Sequence, residues 1–400
     1  FSPDCKSCIE MQDPTQAGYI VNRLEFGQRL LDEASNAGDV EFRDETIARE
    51  FLFDGSTVCG IKARDKRNKE TVDLEAKVTI DASGYHTPLR KTLQSPFIEQ
   101  EINEKSDSIY CFREIVDFGD TADFDPDFIS ITLDQEKAPG GYIWHFPKSA
   151  TALNVGLGTF PANAHELKQM YYKYAFQPIA EGKQFVVQTR GGGLVTVRRP
   201  IPSLVEDGIM FVGDAAAQVN PLHGGGIDSS MRAGWMAAKA ATLAIEQGSM
   251  SKANLWSYNV EFMRSVGAQF AALDVLRTGL QSLPNEELNF GLKNNLLEAK
   301  DILSIAATGG VQLGIFDLAV RAVRGIWKPN LLATLAYINR KMGDVKTLYA
   351  KYPESTDGFG QWKDRVDQEF SGIHKILAPK RDLFTYETKK KTRNPVFWIV

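Results

Sequence analysis

The stretch from Gly208 to Gly248 constrains the fold more than any other part of this 400-residue chain. It opens with Ile209-Met210-Phe211-Val212, a run short enough for one strand and apolar enough to be buried on both faces. Gly213-Asp214 ends the run, small residues follow, and Asn220-Pro221-Leu222-His223 leads into Gly224, Gly225 and Gly226. An alanine-rich helix is expected next, closed by Gly248. Strand, acidic turn, glycines and helix in this order describe the carboxyl edge of a sheet.

Two readings of that edge follow from residue type. In one, the glycines simply make a tight turn. In the other they let a ligand approach the backbone, and the unpartnered N–H groups of the helix's first turn favour an anionic group, such as the pyrimidine side of a reduced flavin. Asp214, just past the strand, is placed to accept hydrogen bonds from ribityl or sugar hydroxyls.

The full string G-D-A-A-x-x-x-N-P-L-H-G-G-G-I resembles the second flavin-binding motif of the geranylgeranyl reductase family, within the p-hydroxybenzoate-hydroxylase-like flavoproteins. The resemblance implies an α/β (α+β) fold: an FAD/NAD(P)-binding, glutathione-reductase-like three-layer domain, an antiparallel substrate sheet and a C-terminal helical region. The implied FAD contacts are Arg23, Ile47, Asp81, Gly84, Gly213, Asp214, Pro221, Gly224, Gly225, Gly226 and Ile227. His223 is a candidate proton source, with backbone ordering as the preferred role. No metal site is assigned.

Earlier in the chain, Tyr19–Arg23 reads as a short strand and Leu24–Ala37 as a helix with Phe26, Leu30, Leu31 and Ala34 on one face. Arg23 is a surface ion-pair residue or, by resemblance, a partner for pyrophosphate. Thr46–Phe53 and Val58–Arg64 flank Asp54-Gly55 as a hairpin. Val72–Ile80 alternates as a strand ending in Asp81-Ala82-Ser83-Gly84, which the family places near the cofactor's adenosine. The expected G-x-G-x-x-G turn does not occur in the sequence, and the resemblance begins internally. The expectation is therefore a chain lacking its first βαβ unit, about 70 to 90 residues.

From about Asp107 to Thr196 alternating apolar residues predict an antiparallel sheet. At its centre, Pro139-Gly140-Gly141-Tyr142-Ile143-Trp144-His145-Phe146-Pro147 puts Tyr142, Trp144 and Phe146 on one strand face, as sheet core or as an apolar wall. The family carries Y-x-W-x-F-P in its prenyl-binding site, so Tyr142, Trp144, Phe146 and Pro147 are implied substrate contacts. Arg198 and Arg199 are structural or, alternatively, close the entrance or pair with a substrate phosphate.

Helical spacing continues over Ala253–Leu283, Leu297–Leu303, Ile315–Ile326 and Leu331–Leu348. The expected division is 1–95 and 201–248 for the FAD-binding domain, 96–200 for the substrate sheet, 249–380 for the helices and 381–400 for a tail. That tail joins Lys389, Lys390, Lys391 and Arg393 to Val396-Phe397-Trp398-Ile399-Val400, and reads as disordered, core-tucked or weakly bound to an anionic membrane surface.

A net charge of −5 gives no basic footprint for nucleic acid. Four cysteines, including the Cys5-x-x-Cys8 pair, are too few for a disulfide scaffold and fit a reducing cytoplasm, with any membrane contact peripheral on its inner face. The resemblance implies reduction of isoprenoid C=C bonds on geranylgeranyl chains of archaeal ether phospholipids, with FAD as cofactor and NAD(P)H or reduced ferredoxin as donor. Two rivals stand beside it: a flavin monooxygenase or halogenase of the same fold, and a truncated, non-catalytic lipid-binding chain.

Overall fold

The computed structural model describes residues 1–11, 20–308, 320 and 323–377. Within them Ile20–Asn22 form no strand. Asn22 instead caps the helix Arg23–Asn36, its Oδ1 accepting the Leu24 N–H at 3.3 Å, so the capping side chain decides the local structure. None of this helix's residues is buried. The strand expected at Tyr19 falls outside the described residues, as do the basic tail and most of Ile315–Ile326.

Strands β1 (Thr46–Asp54) and β2 (Thr57–Asp65) make the expected hairpin, and β3 (Thr71–Glu75) pairs antiparallel with β2. The alternation over Val72–Ile80 is two strands rather than one. Ala76 donates its N–H to Cys59 O, the chain leaves the hairpin sheet, and β4 (Thr79–Asp81) joins a different one.

A five-stranded antiparallel sheet follows, built from β5 (Ser108–Asp117), β6 (Ser130–Thr132), β7 (Ile143–Pro147), β8 (Ala152–Thr159) and β9 (Val186–Thr196) in the order β6-β7-β8-β5-β9. Phe112 and Val116 of β5 and Val155 and Leu157 of β8 face one way. They pack against Leu167, Met170, Tyr171, Ala175 and Phe176 of a helical run, Pro161–Ala180. That run corrects the all-strand reading of this segment: its apolar spacing is helical, and a wider turn at Tyr171–Phe176 keeps the aromatic rings on the sheet. The buried Glu114 carboxylate accepts from Tyr171 Oη at 3.2 Å and Tyr172 Oη at 2.9 Å.

Strands β10 (Val205–Glu206) and β11 (Ile209–Phe211) form a tight antiparallel turn, and β11 runs parallel to β4 with Phe211 opposite Asp81. Ile209, Met210 and Phe211 are fully buried. They pack with the Ala233, Ala237, Ala240 and Ala244 face of the helix Ile227–Glu246, which Gly248 closes by donating to Ile245 O while Ser249 donates to Ala244 O. The helices Lys252–Phe262 and Ala268–Leu280 are joined through a wide turn at Met263–Gly267. With Pro329–Ala350 and Phe359–Leu377 they complete this core. Arg198 and Arg199 take structural roles there: Arg198 is buried against Glu99 at 2.6 Å and Asp107 at 3.4 Å, and Arg199 meets Asp274 at 3.4 Å.

Gly208 makes the β10–β11 turn with φ +76°, and a Cβ there would stand 1.9 Å from Val58 O. Gly208→Ala is expected to lower stability by about 3 kcal/mol, strain and clash together. Gly55→Ala, at φ +61° in open space, should lose only the strain, about 1 kcal/mol. Urea unfolding of both variants separates the two terms, and equal losses would refute the clash.

Candidate functional site

Strands β4 and β11 end side by side, with the Val212 N–H donated to Asp81 O at 3.0 Å. The turn beyond them is held from below. Gln218 accepts the Gly213 N–H on its Oε1 at 2.7 Å, returns its own N–H to Gly213 O at 3.0 Å, and donates Nε2 to Tyr258 Oη at 2.8 Å. Tyr258 in turn donates to Phe211 O at 3.0 Å. Arg90, buried, donates to Ala215 O, and although burial brings its pKa down to about 10 it stays charged at neutral pH. Sequence reasoning passed over Gln218 and Arg90. The only signal was a polar residue inside a small-residue turn and a lone arginine beside Pro88-Leu89.

Asp214 is half-buried, with no cation within ion-pair distance among the described residues. Burial raises its pKa, and the charge of Arg23 offsets part of the rise. A Cβ on Gly226 would stand 3.5 Å from Asp214 Oδ1, ordinary van der Waals contact, so the carboxylate and the helix start face each other at close range. Gly226 supplies no side-chain cap to the helix Ile227–Glu246, so the first-turn N–H groups of Ile227, Asp228 and Ser229 have no helix partner.

The glycine loop is closed by Asn220, whose N–H reaches Gly225 O at 2.9 Å and whose O and Oδ1 accept from Gly224 and Leu222, each at 2.9 Å; Pro221 is buried beneath it. His223 Nδ1 accepts the Gly225 N–H at 3.1 Å, which leaves the ring proton on Nε2. The surrounding protein lowers the His223 pKa and favours the neutral ring, even though the residue keeps an exposed edge.

Tyr142 Oη donates to His223 O at 2.6 Å and ties this loop to the aromatic strand. Tyr142 stands one residue before β7, yet its ring continues the row: Tyr142 to Trp144 is 5.6 Å between centroids and Trp144 to Phe146 is 6.3 Å. Burial, with the Cys111 thiol beside it, raises the Tyr142 pKa, so the phenol remains a proton donor to His223 O. Trp144 lies over Gly156 and donates Nε1 to Asn154 Oδ1 at 3.3 Å, while Pro147 is buried at the far end of β7. The turn that launches this strand is latched at both edges, because Gly140 donates its N–H to Gln135 Oε1 at 2.9 Å and accepts Gln281 Nε2 on its oxygen.

The structure thus brings together Gly213, Asp214, Pro221, His223, Gly224, Gly225, Gly226 and Ile227 with Tyr142, Trp144 and Phe146. It does not bring in Ile47, which is half-buried on β1 opposite Arg64. Asp81 spends its carboxylate on the Ser83 N–H at 2.8 Å and Thr87 Oγ1 at 3.0 Å, shaping the turn that contains Gly84. Arg23 is exposed at its helix start.

Residues 107–195 match the family model described as geranylgeranyl reductase catalytic domain. A digeranylgeranylglycerophospholipid reductase of Sulfolobus acidocaldarius is 34% identical over 384 residues, 94% of this chain and 83% of that protein. Another, of Methanothrix thermoacetophila, is 29% identical over 72% of each. Among solved structures, a geranylgeranyl bacteriochlorophyll reductase-like protein from Thermoplasma acidophilum superimposes with a TM-score of 0.67 at 25% identity, covering 84% of this chain and 81% of that one. A myxobacterial chondrochloren halogenase, an FAD-dependent enzyme, shares the fold at 16% identity and TM-score 0.54, covering 81% and 76%. With this extent of similarity laid over the joined glycine loop and aromatic strand, the chain belongs to the geranylgeranyl reductase family.

Proposed function

We propose that this chain is an FAD-dependent oxidoreductase that reduces isoprenoid C=C bonds, on the geranylgeranyl chains of archaeal ether phospholipids in membrane-lipid biosynthesis. The observation that carries the reading is the Tyr142–His223 hydrogen bond, which fixes an apolar aromatic wall directly against a glycine loop and helix start. The donor chemistry of that edge fits a flavin: unpartnered helix N–H groups suit an anionic ring edge, and the Asp214 carboxylate suits ribityl hydroxyls. Gly213, Gly224, Gly225, Gly226, Pro221 and Ile227 would hold the ring side.

Bound there, reduced FAD supplies the two electrons needed to saturate an alkene. The chain's own residues do the rest. Tyr142, Trp144 and Phe146 align an apolar chain and keep water from it. His223 orders the loop through Nδ1 and holds a proton on Nε2. The electron donor in this reading is NAD(P)H or reduced ferredoxin. Among the described residues no helix is long and apolar enough to cross a membrane.

FAD-loaded protein, reduced anaerobically with dithionite and mixed with a geranylgeranyl ether phospholipid, is expected to give lipid gaining two hydrogens per saturated bond by mass spectrometry. Oxygen uptake coupled to NAD(P)H oxidation with unchanged lipid would instead install the oxygenase or halogenase reading.

A further inference from the structure

Arg113 lies on the aromatic face of the five-stranded sheet. On β5 it alternates with Phe112 and Glu114, which are buried on the opposite side, so Arg113 and Cys111 point toward the Tyr142–Trp144 side. The register sets Trp144, Gly156, Arg113 and Gly191 in one row across β7, β8, β5 and β9. The indole lies over Gly156, and a side chain added at Gly191 would meet nothing, so the guanidinium borders the aromatic wall on one side and open space on the other.

Its electrostatics are incomplete. Arg113 is half-buried, its one side-chain partner is the neutral Thr189 Oγ1 at 2.9 Å from Nη1, and no carboxylate lies within ion-pair distance among the described residues. The nearby Glu114 serves Arg190, Tyr171 and Tyr172 on the other face. A partly desolvated cation left without a counter-charge beside an apolar wall favours an anionic ligand, and a guanidinium matches a phosphate in fork geometry.

Position adds the second argument. Val195 sits opposite Ile109 and against Gly224, which marks the loop end of the sheet. Arg113 is four residues farther along β5, about 13 Å at about 3.3 Å per residue. An anion held there leaves a prenyl chain to run along the aromatic wall toward the glycine loop.

We propose that Arg113 binds the phosphate ester of the prenyl substrate and thereby sets which alkene reaches the glycine loop. This rests on the prenyl reading of the aromatic face. The shared chemistry is a phosphate monoester or diester at the head of an isoprenoid, whether a prenyl diphosphate or a glycerophospholipid.

Calorimetric titration of FAD-loaded protein with geranylgeranyl diphosphate, digeranylgeranylglyceryl phosphate and geranylgeraniol tests it. Arg113→Gln is expected to weaken one or both phosphate ligands about tenfold or more and to leave the alcohol unchanged, with Arg113→Lys intermediate. Loss confined to one phosphate ligand identifies the source. Equal weakening of all three, or of none, overturns the proposal. So does wild-type protein that binds the alcohol as tightly as both phosphates, a result independent of whether the variants fold. Wild-type protein that binds none of the three removes the prenyl reading itself, and the role of Arg113 with it.

Discussion

Gly156→Val is expected to lower prenyl-reduction turnover about a hundredfold while the protein still retains flavin. Gly156 has ordinary extended backbone in β8, so no conformational strain is involved; the effect is steric and local. A Cβ there would lie 2.1 Å from the Trp144 indole, closer than any real carbon contact, and the indole would have to leave. Its departure breaks the hydrogen bond to Asn154 and the ring contacts to Tyr142 and Phe146, dismantling the wall from its centre. Overpacking of this kind costs about 1–3 kcal/mol of stability, too little to unfold the chain. Pairing the substitution with Trp144→Leu should restore the melting temperature without restoring turnover. Single-turnover lipid reduction, flavin absorbance and thermal unfolding on the same samples decide it, and near-normal turnover in Gly156→Val would remove the wall from the mechanism.

The glycine loop and aromatic strand were legible because their determinants are local. An apolar run fixes β11, and Gly248 ends the helix by a backbone pattern that depends on neighbours within five residues. The division of Val72–Ile80 was not legible, since what separates β3 from β4 is a choice of partners: β2 for one, and β11, far along the chain, for the other. The helical run Pro161–Ala180 was legible and overlooked, its spacing hidden within a segment otherwise made of strands.

Arginines show the same limit more sharply. Arg198 and Arg199 stand out in sequence after three glycines and before a proline, yet Glu99, Asp107 and Asp274 neutralise them from distant segments. Arg113 looks ordinary inside an alternating strand. Only the pairing of β7, β8, β5 and β9 places it beside Trp144, where no counter-charge accompanies it among the described residues. Charge compensation is a long-range property, so residue type and spacing cannot rank these three.

Asp214→Asn is expected to weaken FAD binding about tenfold or more and, in flavin-free protein at neutral pH, to raise the melting temperature. The two effects share one cause. Burial raises the Asp214 pKa above its unfolded value of 3.8, the charge of Arg23 offsetting part of the rise. Between the unfolded and folded values the folded state binds more proton, so wild-type stability falls as pH rises through that window, and the full penalty is present above it. Asparagine does not ionise and escapes the penalty. The melting-temperature gap between variant and wild type should therefore open as pH rises from about 3.8 and level off above the folded value. Salt should widen the gap further, because it screens the attraction of the exposed Arg23. With flavin present the order reverses: ribityl hydroxyls would give the carboxylate further partners, and a carboxamide accepts those bonds less strongly. Calorimetry of both proteins across that pH range, with and without FAD, measures each arm. A flavin-free variant that melts below wild type at neutral pH, or a gap that ignores pH, would show that Asp214 is satisfied by the protein itself and is not kept for a ligand.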